Sequence, residues 1–309
     1  MTTDKPVPRS PLGILASATA THGTGHPDDI ALPRLPGFVE SAFSPLAYEV
    51  AGRCLAERTD GGTSRSWGSP RASEAESGGE AESEEGSRTA VALAGLMGDT
   101  TTADLASRRM VAGRVHNPLL FMQATPNSVL GHMSREFGIT GQMFSLSTLD
   151  DALTELLAMA DLLLEDPELD RVLVLGVELG GGERAAAVYQ ELAVGDHPLA
   201  DLPANAGRAA ALLLARPGAG APVTVRADET HGRDTGTGAC PGSIQGLFDL
   251  AAGHRRLARD GGGHLLVTRP QTPAFVLTAD SEARKETETH AHQQAGARPD
   301  LLRHRTGRR

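Results

Sequence analysis

Short, purely apolar runs alternate along this chain with longer segments whose apolar positions recur every three or four residues. Gly13–Thr21 (GILASATAT), Thr89–Leu96 and Met143–Ser147 (MFSLS) read as strands. Arg171–Leu175 (RVLVL) and Ala209–Ala215 (AAALLLA) are continuous apolar runs, as expected of strands in a sheet covered on both faces. Between them, Pro45–Glu57 predicts a helix with Ser44 as N-cap and Pro45 at its first position, and a further helix is expected near Thr101–Ala112. Asn127–Phe137 places Val129, Leu130, Met133 and Phe137 on one helical face, and Gly138 then stops the helix. A long helix is expected over Leu149–Glu165, opening with Asp150 and Asp151 at the positive end of its dipole. A second group follows: strand Val223–Ala227, a Gly-rich loop at 236–242, helix Ser243–Ala258, and strands near His264–Thr268 and Ala274–Thr278. Two tandem β-loop-α-β-β units predict a duplicated, layered α/β fold whose second copy is abbreviated.

Composition adjusts this picture at its breaks. Residues 59–88 are rich in Gly, Ser and Glu and offer almost nothing to bury, so disorder is expected there, as in the polar tail 281–309 with its basic end. The expected division is therefore 1–58, the insert 59–88, a first half at 89–217, an abbreviated second half at 218–280, and the tail. Aromatics are only 3% of the chain, so its core must be built from Ala, Leu and Val. A net charge of −10 argues against a broad nucleic-acid surface, which needs clustered Lys and Arg. It also means that an acidic partner would need a local basic patch. Two cysteines cannot make a disulfide framework, and a reduced, cytoplasmic setting is expected. No apolar run approaches the roughly 18–20 residues of a membrane helix, and the start MTTDKPVPRSPLG gives no signal-peptide pattern.

The run from Asn117 to Leu179 resembles the central part of β-ketoacyl synthases, of the thiolase superfamily. That family carries an Asn before a helix, a Gly-[IV]-[TR]-Gly-Pro turn, a strand, and a Cys at the strand-to-helix elbow. A long helix and an Asp-x-x-[LM]-[VA]-x-Gly-Gly-x-[ET] strand follow. Asn127, Gly138–Gly141, Asp170, Gly176 and Glu178 match, with no gap between Gly141 and Glu178. The resemblance covers about residues 89–217 and implies a thiolase-like layered α/β/α/β/α fold, here with its second half abbreviated.

The same register puts Asp150 where the nucleophilic cysteine belongs. At a helix N-terminus a thiolate is stabilised and backbone N–H groups can receive an oxyanion. A carboxylate there enjoys the same dipole but is a poor acyl acceptor. The family's two histidines are also eroded. His231 in THGRDT resembles the first, too close to the following Gly-rich loop, while Thr235 falls on the second. The glycine-rich gate loop is missing from TRPQTPAF at 268–275. His22, in HGTG, copies a motif by letters alone and is expected in a loop. Cys240, on a Gly-rich loop before a helix, is the remaining candidate nucleophile. Cys54 is expected to be a core thiol. Gly180–Gly182 lacks the spacing of a dinucleotide loop. No cluster has metal-ligand spacing, HAH at 290–292 reads as part of a polar tail, and no cofactor is implied.

The resemblance is strongest to the short ketosynthase-like proteins and chain-length factors of type II polyketide and fatty acid systems. It implies a non-catalytic subunit that pairs with an active ketosynthase and works with an acyl carrier protein. The pairing strand would be Met143, Phe144, Ser145, Leu146 and Ser147, with Asn127 and Met133 close by. Two rivals stay open: an acyltransferase, hydrolase or condensing enzyme built on Cys240 or His231, and a homodimeric assembly scaffold.

Overall fold

The structure, a computed structural model, describes residues 7–59, 86–114, 119–148, 151–181, 187, 191, 202–203, 205–228, 243–267 and 273–279. Residues 60–85 of the insert, the tail, Asp150, Thr235, His231, Cys240 and the loop at 236–242 lie outside the described residues, whereas the insert's last residues, expected to be disordered, are ordered, with Arg88 paired to Asp170.

Eight strands form one mixed sheet. In chain order they are β1 (Leu12–His22), β2 (Thr89–Gly95), β3 (Met143–Ser147), β4 (Arg171–Leu179), β5 (Gly207–Ala215), β6 (Val223–Asp228), β7 (Gly263–Leu266) and β8 (Ala274–Ala279). Their order in space is β3-β2-β4-β5-β1-β6-β8-β7. β2 runs parallel to β3 and β4, and every other pairing is antiparallel. The helices are α1 (Phe43–Thr59), α2 (Thr100–Val111), α3 (Leu119–Gln123), α4 (Pro126–Phe137), α5 (Ala152–Leu163) and α6 (Gln245–Asp260).

The apolar runs are explained by layers on both faces. β2 is buried at every position, and β4 and β5 nearly so. On the outer face, α1 and α4 pack Phe43, Leu46, Val50, Val129 and Met133 onto Val91, Leu93, Leu173, Leu175 and Leu213. On the inner face, α5 and α6 bury Leu153, Leu157, Leu247 and Leu250 against Val172, Val174 and Leu212. A bulge in β1 between Ile14 and Ala16 moves its buried set from one face to the other. Leu12 and Ile14 face the inner layer, and Ala16, Ala18 and Ala20 the outer. The sheet then curls so that α6 packs against β1 and β5 on one side and β6, β7 and β8 on the other. The layers are thus α1/α4, the first five strands, α5/α6, and β6-β8-β7. No described helix covers the far face of the last three strands, where Thr224 and Thr278 join hydroxyls at 2.7 Å beside exposed Arg226. Among the described residues these are four of the five layers expected from the sequence.

Three glycines of the sequence motif have physical reasons. Gly138 takes the left-handed conformation, φ 65°, that closes α4. A Cβ on Gly141 would collide with the Thr89 carbonyl, and one on Gly176 with Leu247 of α6 and with Ile244 just before that helix. Some helix starts differ from expectation. α1 begins at Phe43, because that ring is needed in the core, and Ser41 Oγ accepts the Phe43 N–H at 3.1 Å. Ser44 is therefore inside the helix, its hydroxyl buried without a partner, and does not act as the N-cap. α5 begins at Ala152, so Asp151 is its N-cap rather than part of its first turn. α6 runs over Gln245–Asp260 rather than from Ser243.

Candidate functional site

The elbow between β3 and α5 is tied to the loop after β2. Ser147 Oγ donates to the Leu96 carbonyl at 2.6 Å, and Thr148 N–H to the Gly95 carbonyl at 3.3 Å. Thr148 is fully buried, and its hydroxyl has no partner among the described residues. Asp151, also buried, turns its carboxylate to the Thr154 hydroxyl and caps no backbone N–H. The carboxylate of the cap is thus spent within the helix. The chain reaches this elbow from a parallel strand and leaves into a helix N-terminus, a geometry that concentrates positive potential at the turn.

Facing the inner layer two strands away lies a buried ion pair that the sequence patterns did not bring out. Glu178 on β4 stands opposite Arg208 on β5. Their charged ends are 2.8 Å apart, with side-chain exposures of 4% and 18%. Arg208 also donates to Gln245 Oε1 at 2.7 Å and Ser243 Oγ at 3.2 Å, and lies over the Phe248 ring at 5.6 Å. One guanidinium therefore joins two central strands to the start of α6. The other oxygen of Glu178 is buried with no partner among the described residues. The available signal was a pair of opposite charges at facing ends of two otherwise apolar runs.

The remaining candidates are separated by the fold. His22 is the last residue of β1 rather than a loop residue, and its Nδ1–H donates to the Ile30 carbonyl at 2.9 Å. Cys54 is fully buried on α1, where desolvation pushes its thiol far above the usual range. That fits a packing role and no nucleophile. A buried histidine missed in the sequence, His254 on α6, bonds Ser17 Oγ at 2.8 Å. Desolvation pushes it down to about 4, so it is neutral at ordinary pH. Among the described residues no group of His, Cys, Asp and Glu could hold a metal ion, and no helix is long and apolar enough to cross a membrane.

The strand Met143–Ser147 lies at one end of the sheet and pairs only with β2 among the described residues. Phe144, Ser145 and Ser147 are exposed, Met143 and Leu146 half-buried. Asn127 is exposed at the start of α4, whereas Met133 is fully buried. Nearby in the chain, Met110, Val111, Leu119, Phe121 and Met122 expose large apolar surface. Between Asp104 and Glu136 the sequence contains no acidic residue, while Arg108, Arg109, Arg114 and Arg135 fall inside that window. In a chain of net charge −10 this is a local basic and apolar surface. The acid-free window was legible in the sequence, but it becomes meaningful only once α2 and α3 are seen to expose apolar side chains.

No family model matches the chain, and no curated protein matches it. Solved structures do. One is a type II polyketide synthase acyl-carrier protein in complex with its ketosynthase bound to the hexaketide. It matches with a TM-score of 0.56 at 12% identity, over 88% of this chain and 100% of that one. The ishigamide ketosynthase/chain length factor matches with a TM-score of 0.53 at 14% identity, over 87% and 99%. A ketosynthase in complex with its chain length factor from Xenorhabdus doucetiae matches with a TM-score of 0.50 at 14% identity, over 86% and 98%. The chain has the thiolase-like α/β fold of these ketosynthase and chain-length-factor structures.

Proposed function

We propose that this chain is a non-catalytic ketosynthase-like subunit of the chain-length-factor kind. It pairs with an active ketosynthase and works with an acyl carrier protein in polyketide or fatty acid chain elongation. The observation that carries the reading is the free edge of β3: five residues without a charge, paired on one side only, with Phe144, Ser145 and Ser147 exposed. An uncharged open edge invites pairing with another strand, and monomeric proteins usually block such edges with charge or proline. The sequence register, with Asp150 in the nucleophile position and both histidine motifs eroded, supports the loss of condensing chemistry. Two of the similar structures contain a ketosynthase with a chain length factor, and one contains a ketosynthase with its carrier protein. Exposed Arg108 and Arg114, beside exposed apolar side chains, suit an acidic carrier protein on an otherwise acidic chain.

Gel filtration of the chain with an intact ketosynthase from the same system, at micromolar concentrations, is expected to give a 1:1 complex. Ser145→Lys places a charge on the pairing edge and is expected to weaken that complex at least about tenfold. Lack of a complex, or one untouched by Ser145→Lys, overturns the reading. A homodimer that the ketosynthase does not displace favours a self-assembling scaffold. Mass spectrometry after incubation with an acyl-thioester is expected to show acyl only on the ketosynthase. An adduct on Cys240 overturns the non-catalytic half of the proposal.

A further inference from the structure

A cavity of about 750 Å³ opens where the loop after β1 passes over the start of α1. Its size falls in the range of small-molecule sites. The walls are mostly apolar, with Leu32, Leu35, Phe38 and Val39 from the loop and Leu179 from the end of β4. It lies on the side of the sheet covered by α1, away from the inner layer that holds the Glu178–Arg208 pair.

The polar groups in this lining are few and unequally committed. The carboxylate of Glu40 is held by Arg109 at 3.5 Å. Ser41 Oγ is taken by the Phe43 N–H. His22 uses Nδ1–H on the Ile30 carbonyl, which leaves Nε2 as a lone-pair acceptor. Arg34 is exposed at the rim and has no partner among the described residues. With Glu40 neutralised by Arg109, the lining carries one uncompensated positive charge beside an apolar wall. Asn205, also on the lining, sits in the left-handed region at φ 65°, the only non-glycine there among the described residues. It thus keeps an amide at the rim where glycine would ordinarily serve.

We propose that this cavity binds a monocarboxylate with an aliphatic chain, the carboxylate on Arg34 and the chain along Leu32, Phe38 and Val39. The cation selects the head group, because a guanidinium matches a carboxylate's geometry. The apolar wall selects the tail, and neither term depends on pairing with a ketosynthase.

Isothermal titration calorimetry of the full 309-residue chain with decanoate, decanol and decylammonium tests this. Decanoate is expected to bind saturably at one site, decanol about tenfold more weakly, and decylammonium not measurably. Arg34→Gln, at an exposed and unpaired position, is expected to weaken decanoate about fivefold and leave decanol unchanged. Val39→Asp puts a charge on the wall and is expected to abolish both. No saturable decanoate heat, equal affinity for decanol, or a full signal in Arg34→Gln overturns the proposal. The ketosynthase complex forms or fails independently of these outcomes.

Discussion

The two halves of the sheet solve the same burial problem differently. In the first, β2, β4 and β5 are covered on both faces, and their sequences are unbroken apolar runs. In the second, Val223, Val225, Phe275 and Leu277 are buried, while Thr224 is only partly covered and Arg226 and Thr278 face solvent. The first half owns two helical layers. The second borrows its single cover, α6, from the space between the halves. Among the described residues its only ladder to the first half runs over Leu12–Ile14 and Val223–Val225. The junction therefore depends on what α6 contacts across it, and this is where the two halves can be told apart by mutation.

The largest effect is expected from the ion pair that fastens the start of α6. Arg208→Met leaves Glu178 buried without its countercharge, which costs about 3–5 kcal/mol. The double variant Glu178→Met, Arg208→Met removes both charges and is expected to recover most of that loss. Urea denaturation of the three proteins checks it. If the single variant is as stable as the parent, the pair does not hold the junction.

A second test uses pH. His254 lies between the halves, packed on β1 through Ser17, with Arg255 next in the chain. Its Nδ1 bonds Ser17 Oγ, whose hydroxyl reaches the Ala251 carbonyl at 3.4 Å. Burial and Arg255 together lower it from 6.5 to about 4. The unfolded chain takes up this proton first. The neutral ring's contribution is thus fully present above about pH 6.5 and is lost as pH falls toward 4. The loss reaches at most about 3 kcal/mol. Measured against His254→Leu, the parent is expected to lose this extra stability between pH 6.5 and 4. Parallel pH profiles for the two proteins refute it.

Much of the first half was legible in the sequence, and the reason is periodicity. A strand covered on both faces is an apolar run, and α4 carries its buried face at Val129, Leu130, Met133 and Phe137 as expected. The motif glycines were legible as a pattern, but only the coordinates give their causes. The Glu178–Arg208 pair was not legible, because its partners are joined by strand register, and residues 30 apart in the chain carry no local signal. His254 was hidden for a similar reason: it looks like one more polar residue in GHRRLARD, and Ser17 lies 237 positions away. Helix starts slipped by one to three residues, and at α1 the burial of Phe43 outweighed the capping preference of Ser44.

The smallest effect offers the sharpest contrast, because one chemical change is expected to have opposite signs at two places. At Gly176 an added methyl meets Leu247 and Ile244, the side chains with which α6 presses on β4. Gly176→Ala must push α6 outward or force new rotamers, at a cost of about 1–3 kcal/mol. At Gly131, in the middle of α4, the same methyl meets nothing within 4 Å and points to solvent. There the helix gains from the lower backbone entropy of the unfolded chain, and Gly131→Ala is expected to stabilise by about 0.5–1 kcal/mol. Thermal denaturation of the two variants side by side decides it. Opposite-signed shifts, the destabilising one larger, locate the close packing at the junction rather than in glycine itself. Two stabilising substitutions would mean that α6 rides loosely on β4, and the second half would then be held to the first by little more than the Leu12–Ile14 ladder.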